Sequence, residues 1–144
     1  MRYISHRGNL TGPNPKYENQ PSYISKALRA GYEVEIDVWY TTMFWLGHDK
    51  PIYEVDPKFL QNSKLWCHAK NIEAVHMMKE FGNIHYFWHQ EDDITLTSEN
   101  YIWAFPGKQP IKNSIAVMPE IYKDDTTSCI GICSDYIENY RDEK

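Results

Sequence analysis

Hydrophobic and polar positions follow two periods along this chain, and the change between them marks out its elements. Residues 2–6 form a short extended run that breaks at Gly8, followed by a loop rich in Asn, Gly and Pro to about Asn19. Pro21 suits the first turn of a helix, where its missing N–H costs nothing. Tyr23, Ile24, Ala27 and Leu28 recur on one helical face, and Gly31 stands where a C-terminal cap belongs. Residues 32–40 then alternate: Val34, Ile36 and Val38 point one way, while Glu33, Glu35, Asp37 and Trp39 point the other. A second extended piece, 43–47, delivers His48 and Asp49 at its end. Residues 57–62 predict a short helix. Residues 65–70 predict a strand with Leu65, Cys67 and Ala69 on one face and Trp66, His68 and Lys70 on the other. Residues 72–81 predict a helix with Ile72, Val75, Met77 and Met78 as its apolar side, ending at Gly82.

Beyond that point the segments shorten. Residues 84–88, 101–105, 114–118 and 128–133 each carry the aromatic and β-branched residues of a strand. The connections between them run to roughly ten residues, short of the dozen or more that a helical crossover between parallel strands needs. The first half therefore reads β-α-β-β-α-β, and the second as strands joined by loops or single turns. There is no internal repeat.

With 144 residues, 42% of them apolar, the chain makes one domain, 1–144, with a core of its own. A net charge of -5 argues against an extended nucleic-acid surface, because such surfaces grip phosphates with a broad basic face. Cys67, Cys129 and Cys133 cannot all pair within the chain and lack zinc-site spacing, so they read as reduced packing residues of a cytoplasmic protein. No apolar run reaches the roughly 20 residues that span a bilayer, and a strand starting at Arg2 leaves no room for a leader.

The chemistry concentrates on the alternating strand. Glu35 and Asp37 project on one side about 7 Å apart, placed either to share a hard divalent cation or to face solvent. His6 and Arg7 close the first strand, a proton carrier beside a guanidinium able to fork onto phosphate oxygens. His48-Asp49 follows Gly47. Lys70 offers a point charge for phosphate, and His68 reads either as a metal ligand or as an ordinary core histidine. Trp39, on the carboxylate side, and Trp88 are candidates for lining a cleft. The aromatic stretch His85-Tyr-Phe-Trp-His89 fits base stacking or core packing, and Glu91-Asp92-Asp93 fits a solvated turn.

The order of these pieces resembles the glycerophosphodiester phosphodiesterase family, within the phospholipase C-like phosphodiesterases. The elements are His6-Arg7-Gly8-Asn9, Glu18-Asn19, Glu35-Ile36-Asp37 and Gly47-His48-Asp49, and Gly131-Ile-Cys-Ser-Asp135 resembles the close of the family's last strand. The resemblance covers residues 4–49, more loosely to about 70, and again near 131–136. It implies an α/β fold of the TIM-barrel type with the site at the strand C-termini, here reduced or distorted, with few helices in its second half. It implies His6 and His48 as the acid–base pair and Glu35 and Asp37 as ligands of Mg²⁺ or Ca²⁺, with Mn²⁺ as a further option. Arg7, Lys70 and Trp39 would bind a small phosphodiester substrate.

Two departures qualify that reading. The family places Glu-x-Lys on its third strand, whereas this chain has His68-Ala69-Lys70, so an imidazole either replaces a carboxylate ligand or leaves that position to water. The chain is also shorter than the family's barrels and has no inserted cap, which implies a shallow cleft. The alternative function is a non-catalytic descendant that binds a phosphorylated ligand or a partner.

Overall fold

The structure is a computed structural model, and it describes residues 1–142. In chain order its strands are β1 (Arg2–His6), β2 (Glu33–Tyr40), β3 (Phe44–Leu46), β4 (Tyr53–Val55), β5 (Leu65–Ala69), β6 (Tyr86–Phe87), β7 (Ile94–Leu96), β8 (Ile102–Ala104), β9 (Ser114–Val117) and β10 (Gly131–Ser134). The helices are α1 (Pro21–Arg29), α2 (Pro57–Leu60), α3 (Ile72–Phe81) and α4 (Ile137–Asp142), with a 3₁₀ turn at Pro119–Ile121.

All ten strands join one mixed sheet. Strand β2 is its hub: β1 lies parallel on one edge, β5 parallel on the other, and its far end continues antiparallel into β3 and then β4. Outward from β1 the order is β10, β9 and β8, all parallel, with β7 antiparallel at the end. Beyond β5 lies the two-residue β6. The TIM-type barrel is thus corrected. The sheet is mixed, α-helices are few and short, and β6 is tied to the β7 segment by single contacts rather than a ladder. Those contacts run from the Ser98 N–H to the Tyr86 carbonyl at 2.8 Å and from the Thr95 hydroxyl to the Trp88 carbonyl at 2.9 Å.

Local chemistry sets the helix ends. Pro21 begins α1, the Asp56 carboxylate accepts from the Lys58 N–H ahead of α2, and Asn71 accepts from the Ala74 N–H ahead of α3. Gly82, at φ +75°, ends α3 in a conformation that suits glycine. The face of α3 differs from the one read in the sequence: Ala74 and Met78, four apart, are buried against the sheet, whereas Ile72 is 75% exposed. Strands β4 and β7 and helix α4 were not foreseen, because each is only three to six residues long.

The core has two layers. Val34, Ile36 and Val38 pack with Leu65, Cys67 and Ala69 under Ile24, Ala27, Ala74 and Met78 of the helices. On the opposite side of the sheet Ile4, Trp66, Phe87, Trp103, Ile115 and Cys133 form a second cluster. Both faces of β2 are therefore covered, as parallel strands require. The three thiols are free and buried, and burial pushes those of Cys67 and Cys133 far up, which leaves them as packing groups.

At the N-terminal ends of the parallel strands lies a cavity of about 580 Å³ lined in part by Arg2, Glu33, Trp66, His85, Glu99 and Tyr101. Burial, and then the Arg2 charge, push His85 down to about 4. The Glu99 carboxylate at 3.0 Å pulls the other way, but it is more than half exposed and burial prevails. A histidine held neutral in the fold contributes stability above its unfolded pKa near 6.5, and that stability is lost as pH falls toward 4. Chemical denaturation at about pH 7 and pH 4.5 checks this: His85→Gln should show an acid-induced loss smaller than the wild type's by about 2 kcal/mol.

Candidate metal and acid–base site

Register assembles the site at the opposite, C-terminal ends of the same strands. His6 pairs with Glu35 across β1 and β2, and Asp37 pairs with His68 across β2 and β5. Paired residues of parallel strands point to the same side, and residues two apart on one strand do so too. These four side chains therefore share one side of the sheet. Ser5 pairs with Ser134, so Asp135 follows β10 beside His6.

Glu35 and Asp37 are 2% and 0% exposed, which removes the solvated-face reading. Their charges are compensated locally. Arg7 Nε lies 3.0 Å from Asp37 Oδ2, and Arg7 also reaches Glu18 at 3.2 Å. Asn19 clamps Asp37 twice, donating from Nδ2 to Oδ2 and accepting the Asp37 N–H on Oδ1, both at 2.9 Å. His68 Nδ1 lies 3.4 Å from Asp37 and 3.5 Å from Glu35. Arg7 sits at φ +61°, an uncommon backbone for arginine, held by its N–H on the Glu35 carbonyl and its own carbonyl on the Asn19 N–H.

Each histidine has a defined partner. His6 donates from Nδ1 to Asp135 Oδ1 at 2.8 Å, leaving Nε2 3.8 Å from Glu35 Oε1. Asp135 also accepts from Asn9 Nδ2 at 2.8 Å, and Asn9 in turn accepts from the Tyr23 hydroxyl at 2.9 Å. Burial opposes charge on His6, but the Asp135 hydrogen bond and the Glu35 charge outweigh it and raise the pKa. The same balance at His68, where Asp37 and Glu35 outweigh burial, raises it to about 9. His48 is 46% exposed, and its Nδ1 lies 2.7 Å from Arg7 Nη2. A guanidinium only donates, so that nitrogen accepts and the proton sits on Nε2. Burial alone would raise Asp37, yet the neighbouring imidazoles and Arg7 hold it well below the usual carboxylate range. His68 and Arg7 carry that effect, because His48 Nδ1 already accepts from Arg7 and stands 3.6 Å from Asp37.

The donor set fits a divalent cation. Glu35, Asp37 and His68 each offer one ligand atom, all within 4.8 Å of one another. Glu35 Oε1 and Asp37 Oδ1 are buried without a hydrogen-bond partner, whereas buried acceptors in proteins are normally satisfied. His68 donates from Nε2 to the His89 carbonyl at 2.7 Å, which orients Nδ1 toward the carboxylates as outer-shell partners orient metal-binding imidazoles.

The remaining candidates are placed less centrally. Trp39 donates from Nε1 to the Gly47 carbonyl at 2.7 Å and so braces the turn that carries His48. Lys70 follows β5, half-buried, with no ion pair or side-chain hydrogen bond among the described residues. Trp88 is 39% exposed at the end of β6. Sequence reasoning assigned no role to Asn9, Asn19 or Asp135, although all three stand inside the motifs it singled out.

Gly47 permits the His48 turn. A Cβ there would stand 2.0 Å from the Lys50 carbonyl oxygen, at a φ of +156°. Gly47→Ala should cost about 2–3 kcal/mol in urea denaturation, since a backbone clash of this kind cannot relax through a side-chain rotamer. A variant as stable as the wild type would show that the turn adapts freely.

No protein-family model, curated protein or solved structure matches this chain. No helix among the described residues is long and apolar enough to cross a membrane.

Proposed function

We propose that this protein hydrolyses small phosphodiesters, with His48 and His6 moving the protons and Glu35, Asp37 and His68 holding a divalent cation. The observation that carries the reading is the convergence of two imidazoles on two buried carboxylates: His6 Nε2 lies 3.8 Å from Glu35, and His48 Nδ1 lies 3.6 Å from Asp37. The order of motifs shared with glycerophosphodiester phosphodiesterases supports it. When bound, the cation would neutralise phosphate charge and stabilise the crowded phosphorus centre.

This chain's own residues divide the remaining work. Arg7 turns from His48 Nδ1 to a non-bridging phosphate oxygen, freeing that nitrogen as a base. Water adds to phosphorus while its proton passes to His48. The phosphorus–oxygen bond to the leaving alcohol breaks, and His6, whose proton Asp135 supports, protonates the departing oxygen. A phosphomonoester and an alcohol result, and solvent returns both imidazoles to their starting states.

The test is hydrolysis of an aryl phosphodiester such as bis(p-nitrophenyl) phosphate with added Mg²⁺, Ca²⁺ or Mn²⁺. Metal-stimulated turnover is expected. A protein that binds the metal and inorganic phosphate without turnover is a binding protein built on the same site, and the hydrolytic reading then fails.

A further inference from the structure

The stretch His85-Tyr-Phe-Trp-His89 runs through β6 toward the site, and two of its residues act on His68 from different directions. Phe87 pairs with His68 in the register of β5 with β6, and their rings stack with centroids 5.0 Å apart and planes at 11°. That contact sets the plane of the imidazole. The His89 carbonyl, accepting from His68 Nε2 at 2.7 Å, sets its rotation within the plane. A carbonyl can orient a neighbour only as firmly as its own backbone is held.

The loop after β6 is fastened on both sides of that carbonyl. Before it, the Thr95 hydroxyl donates to the Trp88 carbonyl at 2.9 Å. After it, the Phe105 N–H donates to the Asp93 carbonyl at 3.0 Å, and Lys108 Nζ lies 3.1 Å from the Asp93 carboxylate. Between these anchors the His89 side chain closes the loop on itself, donating from Nε2 to the Asp92 carbonyl at 2.7 Å. A carbonyl only accepts, so Nε2 carries the proton. The His89 ring is 7% exposed and stands edge-on to Phe105, with centroids 6.0 Å apart.

His68 therefore meets the carboxylates through Nδ1, 3.4 Å from Asp37 and 3.5 Å from Glu35, and the donor set is one nitrogen with carboxylate oxygens. Imidazole nitrogen suits ions such as Zn²⁺ and Co²⁺, whereas Ca²⁺ and Mg²⁺ take oxygen.

We propose that His89 is a positioning residue of the cation site, and that through His68 it commits the site to a borderline first-row cation such as Co²⁺ or Zn²⁺ rather than Ca²⁺. The inference rests on the cation proposed for hydrolysis, but it concerns binding and needs no turnover.

The experiment titrates the whole chain with Co²⁺, followed by visible absorption, and with Ca²⁺, followed by calorimetry. It compares the wild type with His89→Phe and His89→Gln. Phenylalanine keeps a ring against Phe105 and removes the donor to Asp92, whereas glutamine keeps a donor. The wild type is expected to bind Co²⁺ at least about tenfold more tightly than Ca²⁺. His89→Phe should bind Co²⁺ about tenfold more weakly than the wild type, the usual loss when an outer-shell partner is removed. Its Ca²⁺ affinity should change by less than about threefold, because the carboxylates alone serve that ion. His89→Gln should stay within about threefold of the wild type for both cations.

Unchanged Co²⁺ affinity in His89→Phe overturns the proposal, as does a glutamine variant as weak as the phenylalanine one. Equal losses for both cations overturn it too, since they mark a general loss of structure. A wild type that prefers Ca²⁺ overturns the cation class. A wild type that binds neither ion rejects the cation of the proposed hydrolysis itself, whereas each of the other outcomes leaves that cation in place, so the two failures are separable.

Discussion

Replacing His6 by alanine should lower metal-stimulated hydrolysis of an aryl phosphodiester by about 10²–10⁴-fold, the usual worth of a positioned proton donor. The imidazole can deliver a proton to a leaving alkoxide, and its orientation is over-determined. Nδ1 is tied to Asp135, which is tied to Asn9, which is tied to Tyr23. Asp135→Asn keeps the shape of that chain while removing the carboxylate that supports the His6 proton. It should therefore reduce kcat by about 10–10²-fold, less than loss of the imidazole, and leave KM nearly unchanged, since Asp135 acts through His6 as a positioning residue. Steady-state kinetics on variants with wild-type circular dichroism decide the matter. An unaltered rate in His6→Ala would remove the acid–base proposal.

The second large effect concerns the carboxylates, and its sign reverses with the metal. In the metal-free protein two buried acidic groups lie side by side, and repulsion between them is only partly offset by Arg7 and His68. Glu35→Gln relieves that repulsion and should leave the metal-free protein as stable as the wild type or more so. Asp37→Asn strips the half-buried guanidinium of Arg7 of its nearest carboxylate and should destabilise by about 3 kcal/mol, the cost of breaking rather than deleting a largely buried pair. Added Mn²⁺ at about 100-fold its Kd should stabilise the wild type by about 2.7 kcal/mol through mass action. Neither variant should gain more than about a quarter of that. Thermal unfolding with and without the cation separates these outcomes. Equal stabilisation of wild type and variants would place the ion elsewhere.

Much of the site could be read from the letters, because its parts are local. Glu35 and Asp37 must share a side wherever their strand lies, and Arg7 must follow His6. Gly47 must free the backbone ahead of His48. The helices of the first half were equally legible, since α1 and α3 carry their own start and stop signals. The expectation of a TIM-type barrel did not survive: strand identity is written in short-range patterns, whereas strand partners depend on contacts between distant residues. The face of α3 failed for a related reason. Ile72 and Met78 are both apolar, and only the position of the sheet decides which of them is covered.

The sequence by itself determined the period-two strand with its paired acids, the capped helices and the presence of two histidines beside glycine turns. Tertiary structure decided whether those acids met solvent or the interior. Packing on both faces of β2 answered that, and with it set their need for compensating charge. It also decided that His6 finds its partner 129 residues away in Asp135. It brought His68 to Asp37 through the register of β2 with β5, and it left Lys70 without an ion-pair partner among the described residues. The physical reason is that backbone periodicity is a property of neighbours in the chain, while burial, register and pKa depend on neighbours in space.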